Sequence, residues 1–253
     1  MIAVQGLRVD YPEGAALDGV DLAIGAGERF GVAGESGSGK STLARALLGL
    51  IAPPGRTMAK RLLIADQDAL ALSPRGWRAL RGGTIGLVLQ DARQALHPTR
   101  TVGGLLVEAL GAHGPLGRSQ ARARALDLLA HVRLPDPRRV FDARAHELSG
   151  GMAQRAMMAL ALAARPVILI ADEPTAALDP TIARQVMDEL DRLVRDEGLT
   201  MLLISHDLPL LADHCDRVAV MERGRIVDTQ PTGALAGARH PATRRLWDAV
   251  LRL

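Results

Sequence analysis

The eight residues Gly34–Ser41, GESGSGKS, constrain the fold of this chain more than any other stretch. They match G-x-x-x-x-G-K-[ST], with an apolar strand-like run, Phe30–Ala33, before them and a helix-like run, Ser41–Leu50, after them. Glycines in such a loop let backbone N–H groups turn inward around phosphate oxygens. The helix start adds partial positive charge. Residues Gly34, Glu35, Ser36, Gly37, Ser38, Gly39, Lys40, Ser41 and Thr42 are therefore the expected nucleotide cradle. Lys40 is expected to reach the β- and γ-phosphates, and the Ser41 hydroxyl to sit on Mg²⁺. Lys40 is one of only two lysines, against 29 arginines.

VILIADEP, Val167–Pro174, supplies acidic chemistry at the end of a second apolar strand. Asp172 can hold Mg²⁺ through water, and Glu173 can polarise a water for in-line attack on the γ-phosphate. His206 follows a third apolar strand, in LLISHD, and can contact the γ-phosphate and orient the attacking water or Glu173. Gln90 ends a fourth, in GLVLQD, and can touch Mg²⁺ and the attacking water. Tyr11, the only tyrosine, ends the first strand and can stack on adenine.

LSGGMAQR, Leu148–Arg155, opens a helix with a serine and two glycines, shortly before VILIADEP. Ser149, Gly150 and Gly151 form a phosphate-binding helix end that has no phosphate of its own to bind, which points to an active site shared between two molecules. Asp179, seven residues beyond Asp172, can reach across such an interface near the catalytic loop.

Composition narrows the function classes. The 253 residues are 48% apolar, enough for a real core in one large domain or a domain with an inserted lobe. Net charge is +3 and aromatics are 2%, so no stacking platform alternates with the arginines and nucleic acid is not an expected partner. The run Arg118–Arg124 reads as the wet face of a helix. A lone cysteine, Cys215, excludes an internal disulfide and fits a reducing compartment. The N-terminus runs straight into a strand pattern without a signal-peptide profile. The longest apolar stretch, Ala156–Ala171, is interrupted by Arg165 and Pro166, short of a membrane span. A soluble chain is expected, with any membrane role supplied by a partner.

Periodicity gives alternating elements. Short strands are expected in residues 1–30, with turns at Pro12–Gly14 and Gly25–Gly27. Residues 51–84 read as loop-rich, Ile85–Leu89 as a strand, and residues 91–147 as mostly helical, with loops near Gly114 and Pro135–Pro137. Beyond them come a helix over Met152–Ala164, a strand over Val167–Ala171 and a helix over Ile182–Arg195. The last elements are a strand over Met201–Ser205, a helix over Asp207–Cys215, and strands over Arg217–Met221 and Arg225–Asp228. Strands alternating with helices argue for a mainly parallel α/β sheet.

Together these motifs resemble the ATP-binding subunit of an ABC transporter over nearly the whole chain. The resemblance implies an α/β P-loop NTPase fold over residues 1–253, with an N-terminal antiparallel β subdomain and a helical subdomain at about 91–165. It makes Gly34–Ser41 the P-loop and Gln90 the centre of the glutamine loop. Leu148–Arg155 becomes the signature and Ala177–Asp179 the D-loop. Glu173 becomes the catalytic base and His206 the switch histidine. The implied cofactors are ATP and Mg²⁺. The implied partners are a second cassette, related or identical, two membrane permease subunits and an extracytoplasmic solute-binding protein. The implied location is the cytoplasmic face of the cell membrane. A narrower likeness is to peptide and nickel importers. GESGSGKS is their usual P-loop spelling, HELSGGMAQR resembles their signature region, and HPATRRLWDAV, His240–Val250, resembles their HPYTRxLL ending. After Gln90 that group usually shows Asp-Pro and then Leu-Asn-Pro, where this chain has Asp91-Ala92 and Leu96-His97-Pro98. The chain ends soon after His240–Val250, which resembles the shorter nickel- or metallophore-type subunits. An ATP-binding component of a phosphonate-degrading complex is the rival reading, since it shares this size and these motifs.

Overall fold

The computed structural model describes residues 1–112 and 116–250. The strands are β1 (Ile2–Tyr11), β2 (Gly14–Ile24), β3 (Arg29–Ala33), β4 (Arg56–Met58), β5 (Arg61–Ile64), β6 (Gln67–Asp68), β7 (Ile85–Val88), β8 (Ile168–Asp172), β9 (Thr200–Ser205), β10 (Arg217–Glu222) and β11 (Arg225–Pro231). The helices are α1 (Lys40–Leu47), α2 (Pro74–Ala79), α3 (Ala92–Ala95), α4 (Val102–Gly111), α5 (Arg118–His131), α6 (Pro137–Asp142), α7 (Gly150–Leu162), α8 (Pro180–Asp196), α9 (Leu208–His214) and α10 (Pro241–Val250). The fold is α/β, and the chain divides into two compact units. One is Met1–Arg78 with Thr200–Leu253; the other is Ala79–Leu199.

The first unit contains an antiparallel sheet in the order β2-β1-β5-β6, with β4 also paired to β1. Strand alternation explains it. Ile2, Val4, Leu7 and Val9 of β1 are buried, as are Leu17, Val20, Leu22 and Ile24 of β2. The step from Val4 to Leu7 breaks strict alternation, and the register shifts there, at Gly6 with φ 60°. The same unit holds the run β11-β10-β3-β9, in which β10, β3 and β9 are parallel and β11 is antiparallel to β10. Its β3 and β9 are buried and apolar, as strands covered on both faces must be.

In the second unit β7 lies parallel to β8, with Ile85 beside Ile168 and Val88 beside Ala171. Helices α3 to α6 bear out the helical reading of residues 91–147; its expected loop at Gly114 lies outside the described residues. On α5 the small residues Ala121 and Ala125, with Leu129, form the buried seam, and Arg118, Arg122 and Arg124 are exposed, as expected. The Arg122 guanidinium sits 4.3 Å from the Phe141 ring centre.

Three expectations needed correction. Residues 1–30 form two long strands, not several short ones. The stretch 51–84, expected to be loop-rich, also carries β4, β5, β6 and α2. β4 and β6 are exposed, so pairing rather than patterning makes them, whereas β5 buries Leu62 and Ile64 in alternation. The helix expected from Met152 starts at Gly150, because Ser149 caps it and outweighs the low helix propensity of two glycines.

Candidate active site

In the first unit, strand register gathers the predicted phosphate chemistry. Ala33 of β3 pairs with Ser205 of β9. The Gly34–Gly39 loop and His206 therefore leave the sheet from adjacent strand ends, the usual place for ligands in a parallel sheet. His206 is exposed. The turn after it is fixed, since Asp207 N–H donates to Ser205 Oγ at 3.0 Å and the Asp207 carboxylate accepts from Leu210 N–H at 3.0 Å.

The loop needs its glycines. Gly39 has φ 107°, and a Cβ there would lie 2.9 Å from the Ala16 carbonyl oxygen. A Cβ on Gly34 would lie 2.5 Å from both Ser38 Oγ and the Met221 carbonyl oxygen. Lys40 is 6% exposed, and its ammonium donates to the carbonyls of Gly34 (2.7 Å) and Glu35 (3.0 Å). Ser38 Oγ is buried and has no hydrogen-bond partner among the described residues. Gly39, the N-cap of α1, has no side chain to cap it, and the helix start borders the loop. These features fit a polyphosphate.

The turn after β10 braces this loop from behind, a contribution the sequence did not reveal. Gly224 N–H donates to the Ser38 carbonyl, and Asp18 N–H donates to the Gly224 carbonyl, each at 2.9 Å. Side-chain bonding by Arg225, seconded by Arg8, holds the Asp18 carboxyl below its ordinary pKa range despite some desolvation. The HPATRR segment ties α10 to the same region. Thr243, fully buried, donates to Asp228 at 2.5 Å, and Arg245 pairs with Glu222 at 2.7 Å. Tyr11 stands where β1 meets β2, opposite Gly14, with its ring against Gly55.

In the second unit the parallel register brings Gln90 and Asp172–Glu173 to neighbouring strand ends, since Val88 pairs with Ala171. Gln90 is exposed, whereas Asp172 and Glu173 are half-buried. Glu173 has φ 46°, left-handed backbone that costs a non-glycine residue about 1–3 kcal/mol and concentrates at functional turns. Two side chains outside the predicted set tie the Gln90 loop to the signature. Gln154, 2% exposed, donates to the Leu89 carbonyl at 3.0 Å, and Arg93 donates to the Leu148 carbonyl. Periodicity marks Gln154 only as one polar residue among apolar ones, and nothing local marks Arg93.

Ser149 caps α7, its hydroxyl accepting from Met152 N–H at 3.2 Å, which leaves the hydroxyl proton to donate outward. Asp179 caps α8 in the same way, accepting from Ile182 N–H at 3.0 Å. The two helix starts abut. A Cβ on Gly150 would lie 2.8 Å from Leu178 Cδ2, and one on Gly151 would lie 2.6 Å from Ile182 Cγ2. Ser149, Gly150, Gly151 and Asp179 thus occupy one face.

Comparison with known proteins adds four findings. Residues 17–176 match the family model described as ABC transporter. The chain is 43% identical over 236 residues to the dipeptide transport ATP-binding protein DppD of Escherichia coli (strain K12), covering 93% of this chain and 72% of that one. It is 40% identical to the oligopeptide transport ATP-binding protein OppD of Bacillus subtilis (strain 168), covering 96% and 70%. Among solved structures, the dimeric post-hydrolysis state of the ATP-binding cassette MJ0796 bound to ADP and Pi superposes with TM-score 0.81 at 28% identity, covering 92% of this chain and 99% of that one.

Proposed function

From the premise that this chain belongs to the ABC transporter family and is an ATPase whose hydrolysis is coupled to transport, we propose that it powers import of a peptide, nickel or metal-chelate substrate through a separate membrane permease. The peptide reading is supported by the dipeptide and oligopeptide relatives, and by HELSGGMAQR and HPATRRLWDAV. The observation that carries the shared-site reading is the signature itself: a capped, glycine-flanked helix start on the same face as Asp179.

We read residues 1–253 as one ABC ATPase domain with a helical subdomain at about 91–165. Backbone N–H groups of Gly34–Thr42 and the Lys40 ammonium bind the triphosphate of ATP, and Tyr11 stacks on adenine. Ser41, Gln90 and Asp172 offer oxygen donors of the kind Mg²⁺ prefers, and the ion, when bound, offsets phosphate charge. Glu173 takes the proton of the attacking water, and His206 and Gln90 orient that water. Ser149, Gly150 and Gly151 donate to the γ-phosphate of ATP held by a second cassette, and Asp179 approaches the same interface. Bound ATP therefore closes the pair, and hydrolysis reopens it. The helical subdomain docks the permease, on the cytoplasmic face of the cell membrane, and a solute-binding protein delivers cargo from the other side. A related rather than identical second cassette fits this importer group. Among the described residues no helix is long and apolar enough to cross a membrane.

The test is uptake of labelled peptides, nickel and metal–chelator complexes by cells carrying the wild-type or Glu173→Gln chain. One class should be imported only with the wild type. Equal uptake of all three by both strains, or copurification with soluble lyase subunits instead of membrane subunits, overturns the importer reading.

A further inference from the structure

The glycines of a signature are usually explained by the ligand they approach. Here Gly151 faces a neighbour in its own chain. A Cβ at Gly151 would lie 2.6 Å from Ile182 Cγ2, inside any tolerable contact. The obstructing atom is not the far end of a flexible side chain. Ile182 is β-branched and in a helix, where one χ1 rotamer dominates, so Cγ2 cannot swing aside cheaply. Its backbone is fixed as well, since Ile182 N–H is the group capped by Asp179 and Pro180 begins the helix. At Gly150 the opposing atom is Leu178 Cδ2, the tip of a longer and freer side chain.

We propose that Ile182 is a positioning residue that seats the signature: Asp179 locks Ile182, and Ile182 fills the Cβ space of Gly151, so that signature and Asp179 present themselves to the second cassette as one rigid face. This rests on the reading that Ser149–Gly151 serve a nucleotide held by another chain. It adds the reason position 151 must be glycine, and it makes Asp179 a support for the signature of its own chain.

The prediction is atom-specific. Gly151→Ala should lower ATP turnover of the assembled transporter by about tenfold or more, which corresponds to about 1.4 kcal/mol or more and lies within the usual overpacking penalty. Adding Ile182→Ala removes Cγ2 and should return turnover to within about threefold of the Ile182→Ala protein alone, since that penalty disappears. Adding Ile182→Val instead keeps Cγ2 and should rescue nothing. ATP-driven pairing with the second cassette, measured by size exclusion in a Glu173→Gln background, should follow the same order. ATP affinity of each isolated chain should stay at the wild-type value, which also shows that the variants fold. Gly151→Ala with reduced turnover but no rescue by Ile182→Ala, or equal rescue by Val and Ala, overturns the role of Ile182 and leaves the shared-site reading standing. Gly151→Ala with wild-type turnover overturns the role of Ile182, whereas Ser149→Ala that weakens ATP binding by the isolated chain overturns the shared-site reading.

Discussion

Helix α1 begins at Gly39, in left-handed backbone with no side chain capping its first turn, whereas α7 begins at Ser149, whose hydroxyl accepts from Met152 N–H. Both starts are glycine-rich, yet their glycines answer to different constraints. In the phosphate-binding loop Gly37 (φ 80°) and Gly39 (φ 107°) are set by backbone conformation. In the signature, Gly150 and Gly151 are set by the side chains of Leu178 and Ile182 packed against them. On the proposed function, the glycine-led start receives a ligand that wraps into the loop. The capped start satisfies one donor internally and offers a finished outer face. On the same proposal, the first holds a phosphate chain and the second presses against one held by another cassette.

This contrast can be broken in several ways, the largest effect first. Glu173→Gln leaves both helix starts intact and removes the proposed base. Turnover should fall about 10²–10⁴-fold, the usual worth of a positioned general base. Filter binding should still show tight ATP retention, because neither cradle has changed. Gly39→Ala attacks the backbone-set start. With strain of about 1–3 kcal/mol and a Cβ pressed on Ala16, ATP affinity of the isolated chain should drop about tenfold or more by calorimetry. Unchanged affinity would show that the left-handed turn is not what shapes the cradle.

Ser149→Ala attacks the capped start. Loss of the cap costs about 1 kcal/mol, which for a chain of this size lowers the melting temperature by only about 2–4 °C. ATP affinity of the isolated chain should not move, while turnover of the assembled complex should. The smallest effect concerns the brace behind the phosphate loop. The folded-state pKa of Asp18 is depressed, through Arg225 first and then Arg8. Its contribution to stability is therefore present above the ordinary carboxylate pKa of about 4 and is lost as pH falls through the lower folded value. The melting-temperature gap between wild type and Asp18→Asn should close across that acid window. A gap that persists at lower pH would mean that charge is not the origin of the brace.

Much of this was legible in the chain because it depends on local pattern. GESGSGKS between an apolar strand and a helix announces its own geometry. Strand runs such as VILIADEP place an acidic pair at a strand end, and β7 and β8 duly bring Gln90 and Asp172–Glu173 to neighbouring ends. Illegible features depend on pairing across the sequence. Strands β4 to β6 exist because β1 and β5 offer edges to them. Gly224 braces Ser38 from the far end of the chain. Gln154 and Arg93 reach carbonyls 65 and 55 residues away. The contact of Ile182 with Gly151 belongs to the same class: Ile182 reads only as one apolar residue near the start of a helix, and nothing in LSGG says which side chain will stand over its second glycine.

On the proposed function, this chain carries two half-sites serving different nucleotides, one through Lys40 and the other through Ser149. The direct measurement pairs ATP affinity of the isolated chain with turnover of the assembled transporter, for Lys40→Ala and for Ser149→Ala. Lys40→Ala should lose both, while Ser149→Ala should keep wild-type affinity and lose turnover. If Ser149→Ala weakens ATP binding by the isolated chain as much as Lys40→Ala does, the signature serves its own chain's nucleotide and the account is wrong.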